Sequence, residues 1–266
     1  MTPSKSDSHK ISASLRKMRI REQVMRSDEV SIPALAVHFG VSEMTIRRDL
    51  IGLEREGQVH RTHGGAIASE RMAFEFDFRE RRLEHQEEKC AIAREAAKLV
   101  RPGQRLMLDT GTTTLELAQE LKHMSGLTII TPSLAVASAL QFSEGIQTIL
   151  LGGILRKGRP DLTGAVTSHT LDLFAADIVF QGADAIDLNG WIYNEDVVLA
   201  RVDQKMREQT GCTVILADSS KIGKVSLMRS ANLSDIDRLV TDSKLPAEAQ
   251  AALTKLGVKL TLAKIK

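Results

Sequence analysis

The chain has 266 residues, 42% hydrophobic, 26% charged and 3% aromatic, which excludes a disordered or fibrous protein and leaves room for two domains. Its 36 Lys+Arg against 34 Asp+Glu give a formal charge of +2, which argues against a protein that coats nucleic acid through bulk basicity. Two distant cysteines, Cys90 and Cys212, make neither a disulfide framework nor a zinc cluster and fit packing roles in a reducing cytoplasm, and no apolar run reaches the roughly 18 residues of a membrane helix.

Residues 1–14 are polar, Ser- and Lys-rich, and predict a disordered tail without the apolar stretch of a signal peptide. Residues 1–66 hold eleven Lys/Arg against eight Asp/Glu, so the small excess of positive charge is concentrated at this end. A helix is predicted over 16–26 with Met18, Ile20, Val24 and Met25 on one face. A second helix runs over 32–39, with Pro33 in its first turn and Gly40 as its stop. Ser42 fits the N-cap of a third, from Glu43 to about Glu56, whose buried stripe is Ile46, Leu50 and Leu53. The stretch from Gln58 to Ala66, with its Gly64-Gly65 pair, reads as a small β-wing.

Two helices joined by a tight glycine turn, the second carrying Thr45, Arg47 and Arg48, read as a helix-turn-helix with a wing over 15–66. Short hydroxyls near a helix N-terminus contact phosphates or base edges, and arginine reaches guanine or the backbone. The alternative from pattern alone is a three-helix bundle whose arginines are only solvated.

The run Val41-Ser42-Glu43-Met44-Thr45-Ile46-Arg47-Arg48-Asp49-Leu50, then Leu53-Glu54, Gly57 and Arg61-Thr62-His63-Gly64-Gly65-Ala66, resembles the DeoR family of bacterial transcriptional regulators. The resemblance implies double-stranded operator DNA as partner, with Ser42, Thr45, Arg47 and Arg48 as recognition-helix contacts and Arg61 and His63 as wing contacts.

The connector, 67–88, holds Phe74, Phe76 and Phe78 beside Arg79, Arg81 and Arg82, a strip expected to dock on the larger domain or on a second subunit rather than leave three aromatics in water. From 89 to 266, strand-length apolar runs over 105–109, 127–131, 148–151, 178–182, 213–217, 238–241 and 259–262 alternate with helical stretches. That alternation predicts a largely parallel α/β sheet, which binds ligands at the carboxyl ends of its strands.

Those ends carry Asp109, Thr110, Gly111, Thr112 and Thr113, then Ser133, Gly152 and Gly153, Asp184, and Lys221. Hydroxyls, glycines and helix-start N–H groups suit an anion, and carboxylates suit hydroxyls, so the set predicts a phosphate joined to a polyhydroxyl body. Asn194 and Glu195 are candidates for the sugar hydroxyls. Trp191 and Tyr193 either pack at a sheet or subunit edge or cover the sugar.

The same region resembles the DeoR-family effector domain in Glu88-Lys89, Asp109-Thr110-Gly111-Thr112-Thr113, Leu151-Gly152-Gly153, Gly182-Ala183-Asp184 and Asp218-Ser219-Ser220-Lys221. This implies a fold similar to sugar-phosphate isomerases, with a phosphorylated sugar as effector. Two positions depart from the family pattern, Pro132 where Asn is usual and Ala185 where Gly is common.

The competing reading is a phosphosugar isomerase with a DNA-binding appendage. Against it, pentose-phosphate isomerases with these marks carry an Asp where Gln181 stands and a Lys-Gly-Gly-Gly segment where this chain has Gly190-Trp191-Ile192-Tyr193. His60 and His63 lack further ligands at metal-site spacing, so neither a cofactor nor a metal is implied. The expectation is a cytoplasmic, non-enzymatic repressor of a carbohydrate operon, working as a homodimer or homotetramer.

Overall fold

The computed structural model describes residues 12–26, 30–56, 58–62, 64–68, 78, 81–156 and 159–265, and the chain divides between Asp77 and Phe78 into two compact units.

The first unit begins with α1 (Ala13–Arg26), β1 (Val30–Ser31), α2 (Ile32–Phe39) and α3 (Glu43–Arg55), followed by β2 (Val59–Arg61) and β3 (Gly65–Ala68). Helix α1 starts inside the expected polar tail, because the Ser12 hydroxyl accepts the Leu15 N–H at 3.3 Å and caps it. Ser31 caps α2 through the Ala34 N–H, and Gly40, at φ 61°, closes it in the left-handed conformation that glycine adopts without strain. The core is the set of stripes the helical period predicts, Ile20, Val24, Leu35, Ile46, Leu50 and Leu53, all buried.

The wing is a three-stranded antiparallel sheet in the order β1, β3, β2, with Val30 opposite Ala66 and Arg61 opposite Ala66 on the other side. Strand β1 was not legible in sequence, since two residues have no period. Gly65 is required by close approach: a Cβ there would meet the Val30 carbonyl oxygen at 1.9 Å.

In the second unit α4 (Gln86–Ala97) precedes β4 (Arg105–Leu108), α5 (Thr112–Leu121), β5 (Leu127–Thr131), α6 (Leu134–Leu140) and β6 (Ile146–Leu150). A short hairpin, β7 (Ile154–Leu155) with β8 (Leu162–Thr163), leads to α7 (Ala165–Leu171) and β9 (Ile178–Gly182). Then come β10 (Ala185–Ile186), β11 (Trp191–Asn194), α8 (Val197–Glu208), β12 (Thr213–Leu216) and β13 (Met228–Asn232). The chain continues through β14 (Arg238–Asp242), α9 (Ala247–Thr254) and β15 (Lys259–Ala263).

Seven strands form one sheet in the order β15, β14, β12, β9, β4, β5, β6, every pair parallel. All seven strands predicted from apolar runs are in it. Helix-covered strands are buried on both faces, which is why residues 178–180 and 214–216 read as unbroken apolar runs. The chain leaves β4 toward β5 and β6 and returns on the other side through β9, so the order reverses between β4 and β9.

A second, antiparallel sheet of β10, β11 and β13 was not foreseen. It carries Trp191 and Tyr193, with the Arg229 guanidinium 4.8 Å from the Trp191 ring centroid and 5.9 Å from that of Tyr193. The Tyr193 hydroxyl donates to Asp187 at 2.9 Å, so both rings pack at this sheet and neither lines the cavity described below. Of the connector's aromatics, Phe78 packs against the larger core, and Phe74 and Phe76 lie outside the described residues.

Candidate functional site: a DNA-reading helix and a ligand cavity

In the first unit, α3 is held by a buried charge pair. Arg16 Nε donates to Asp49 Oδ2 at 2.6 Å and its Nη2 to Oδ1 at 3.3 Å, a two-pronged contact that fixes α1 against α3. Ser42 caps α3: its hydroxyl accepts the Thr45 N–H at 3.2 Å and lies 2.9 Å from the Thr45 hydroxyl. Both predicted hydroxyls are therefore tied to the helix start, with Thr45 half-buried.

The outward face presents Met44, Arg47, Arg48 and Ile51. Arg47 approaches Glu43 at 3.5 Å, and both side chains are half-exposed. Arg61 on the wing pairs with Glu54 at 3.0 Å, and its backbone N–H donates to the same carboxylate, which ties the wing to the recognition helix. That tie was not anticipated, because Glu54 and Arg61 share no single element. His63 lies outside the described residues.

In the second unit a cavity of about 400 Å³ opens at the carboxyl ends of β4, β9 and β12, at the reversal of strand order. Asp109, Thr110, Gly111, Thr112, Thr113, Asp184, Asn194, Glu195 and Lys221 all line it. Ser133, Gly152 and Gly153, also expected there, are not among the residues that line it. They follow β5 and β6, to one side of the reversal, and serve the fold. Ser133 caps α6 through the Val136 N–H, and the Gly152 carbonyl accepts the Thr167 hydroxyl at 2.7 Å. A Cβ on Gly153 would collide with that same hydroxyl at 2.0 Å.

The cavity floor is built on Asp109. One of its oxygens accepts the Gly182 N–H at 3.0 Å, the other the Thr110 N–H, so it clamps the end of β4 to the end of β9. Thr114 donates back to the Gly111 carbonyl at 2.7 Å, shaping the loop. Gly111 at the N-cap of α5 offers no side-chain acceptor, leaving the first-turn N–H groups, at the positive end of the helix dipole, for an outside anion. Lys221 stands on a short turn capped by Asp218.

Several further charges were not assigned from sequence. Lys89 is buried, and its ammonium donates to the carbonyls of Arg81 and Glu84; burial lowers its pKa, against the raising field of Asp218. Arg81 pairs with Asp184 at 3.0 Å, and Asp184 also accepts the Glu195 N–H at 2.9 Å. Arg156 is gripped by both oxygens of Asp161 at 2.7 Å and reaches Asp196 at 2.9 Å. Burial works against its charge, but the hydrogen bonds and fields of these two carboxylates outweigh it and raise its pKa. Asp196 caps α8, which holds this cluster at the cavity wall. In sequence, scattered charges such as Arg156 and Asp161 look like a solvated face.

Asn194 lines the cavity with its amide nitrogen already committed to Asp203 at 2.7 Å. Asp203 and Asp109 are a buried carboxyl pair. Burial, then the charge of Asp109, raises the Asp203 pKa well above the usual range, while Arg207 and Asn194 pull the other way. Burial likewise raises Asp109. The second Asp203 oxygen is buried without a hydrogen-bond partner among the described residues. Gln181 is fully buried, donating to the Asp203 carbonyl at 2.8 Å and accepting from Arg207 at 2.7 Å.

A wing-and-helix unit with exposed arginines, on one chain with a polar cavity at a parallel sheet's switch point, has the make-up of a DNA-binding regulator with a sensor domain. Residues 16–72 match the DeoR-like helix-turn-helix domain and residues 84–243 the DeoR C terminal sensor domain. The chain belongs to the DeoR family of transcriptional regulators. It is 35% identical to the HTH-type transcriptional regulator YulB of Bacillus subtilis, over 92% of this chain and 95% of that protein. It is 32% identical to a putative aga operon transcriptional repressor of Escherichia coli O157:H7, over 93% of each chain. The glycerol-3-phosphate regulon repressor of Escherichia coli K12 is 32% identical, over 91% of this chain and 96% of that protein. Among solved structures, ribose 5-phosphate isomerase A from Methanocaldococcus jannaschii aligns at 21% identity with a TM-score of 0.41, over 53% of this chain and 56% of that one. No helix among the described residues is long and apolar enough to cross a membrane.

Proposed function

We propose that the chain is a repressor of a carbohydrate-use operon that leaves its operator when a phosphorylated sugar fills the cavity. The observation that carries this reading is the convergence of the uncapped α5 start, Thr112, Thr113 and Lys221 on one cavity that Asp184 and Glu195 also line. The first group suits a phosphate, the carboxylates suit sugar hydroxyls, and one relative is named as the repressor of a glycerol-3-phosphate regulon, another as a putative repressor of an aga operon. On the DNA, Arg47, Arg48 and Arg61 make phosphate or base contacts, with Ser42 and Thr45 near the backbone. A reader of this size works as a homodimer or larger homo-oligomer on paired half-sites, in the cytoplasm. The effector is bound and not turned over: Gln181 is occupied in bracing Asp203 and Arg207.

A ligand shifts the DNA equilibrium only by its differential affinity for two states of the protein. Replacing Arg47 and Arg48 together by Ala is expected to abolish the mobility shift on operator DNA while leaving the second unit folded. A double variant that binds like the parent contradicts the DNA assignment. Lys221→Ala should keep DNA affinity and lose release by the sugar phosphate, and retained release would reject the proposed phosphate site.

A further inference from the structure

The exposed face of α3 carries two apolar side chains, Met44 and Ile51. Met44 is 66% exposed and Ile51 36%, two turns apart, while Ile46, Leu50 and Leu53 fill the opposite, buried face. Single exposed apolar residues are ordinary, but this pair shares its face with Arg47 and Arg48 and borders the groove between α3 and the wing, where Arg61 and Thr62 also stand. An apolar stripe set among cations is complementary to a surface that is anionic at its edges and offers methyl groups at its centre. The DNA major groove has that character, because thymine alone presents a 5-methyl group there. The Glu43 and Glu54 carboxylates beside Arg47 and Arg61 are partly exposed, so exchanging those ion pairs for phosphate contacts costs little.

We propose that Met44, supported by Ile51, reads thymine methyl groups in the operator's major groove, so that these two residues set sequence preference while the neighbouring arginines supply affinity. The proposal rests on operator binding by α3. Methionine's flexible, polarisable side chain follows a methyl group without demanding one rigid geometry.

The test uses the full chain and a duplex that it selects from random-sequence DNA, prepared once with thymine and once with uracil, which lacks only the methyl group. Burying one methyl group is worth about four-fold in binding, so a duplex with two half-sites should lose on the order of ten-fold in affinity when uracil replaces thymine. The Met44→Ala/Ile51→Ala variant is expected to bind thymine DNA more weakly by a similar factor and to bind the two duplexes alike, and Met44→Leu to keep most of the preference. Equal binding of the two duplexes by the parent, or an undiminished thymine preference in the double variant, overturns the proposal and leaves operator binding standing. Enrichment of no sequence at all overturns the operator reading and this inference with it.

Discussion

Replacing Arg16 by Met tests how the recognition helix is held. Asp49 is buried in α3, its side chain 6% exposed, and Arg16 donates to both of its oxygens. Removing the guanidinium leaves a carboxylate without a counter-charge in an apolar core of Ile20, Ile46 and Leu50. Breaking a buried pair in this way costs about 3–5 kcal/mol. For a unit of this size each kcal/mol is worth roughly 4–8 °C, so the reader's unfolding transition should fall by at least about 12 °C. The partner substitution discriminates the cause. Arg16→Met with Asp49→Leu removes both charges and is expected to lie within about 1 kcal/mol of the parent, because a well-packed apolar pair replaces a buried ionic one at little cost. Calorimetry on the full chain follows the reader's transition in each variant. A shift under about 4 °C for Arg16→Met, or a double variant as unstable as the single one, would refute this account of the pair.

Gly65→Ala should detach the wing, since the new Cβ meets backbone atoms of Val30 and Ser31 rather than a flexible side chain. A loss of about 1–3 kcal/mol in the reader and weaker operator binding are expected, and unchanged affinity would show that the wing is dispensable. The carboxyl pair gives a pH prediction. Folded-state pKa values of Asp109 and Asp203 lie above the unfolded ones, so the stability they contribute is complete below about pH 4 and lost as pH rises through the raised values. Asp203→Asn mimics the protonated partner, accepting from Asn194 and donating to Asp109, and should flatten the decline of Tm with pH. Parallel curves for parent and variant would contradict a raised pKa at Asp203.

Legibility from sequence followed the length of the signal. The recognition helix was readable because Ile46, Leu50 and Leu53 repeat at helical spacing and Ser42 marks its start. The central parallel strands were readable because burial on both faces leaves apolar runs. Strand order was not, as it depends on long-range pairing that no local pattern records. That is why Ser133, Gly152 and Gly153, which stand at strand ends as Asp109 and Asp184 do, were grouped with the cavity although they do not line it. Arg156, Asp161 and Asp196 converge only through folding: the ion pair between Arg156 and Asp196 joins residues forty apart. Met44 was visible as a residue of the helix, but only its exposure separates it from the core methionines Met107 and Met206.

The central claim is that one chain couples sugar-phosphate binding to release of DNA. Its most direct test is the affinity of the full chain for selected operator DNA, measured with and without a panel of phosphorylated sugars and their unphosphorylated counterparts. The account predicts that at least one phosphorylated sugar raises the operator Kd several-fold, that its unphosphorylated counterpart does not, and that Lys221→Ala binds the DNA but ignores the ligand. Operator affinity indifferent to every sugar phosphate, while one of them is bound and chemically converted, would contradict it.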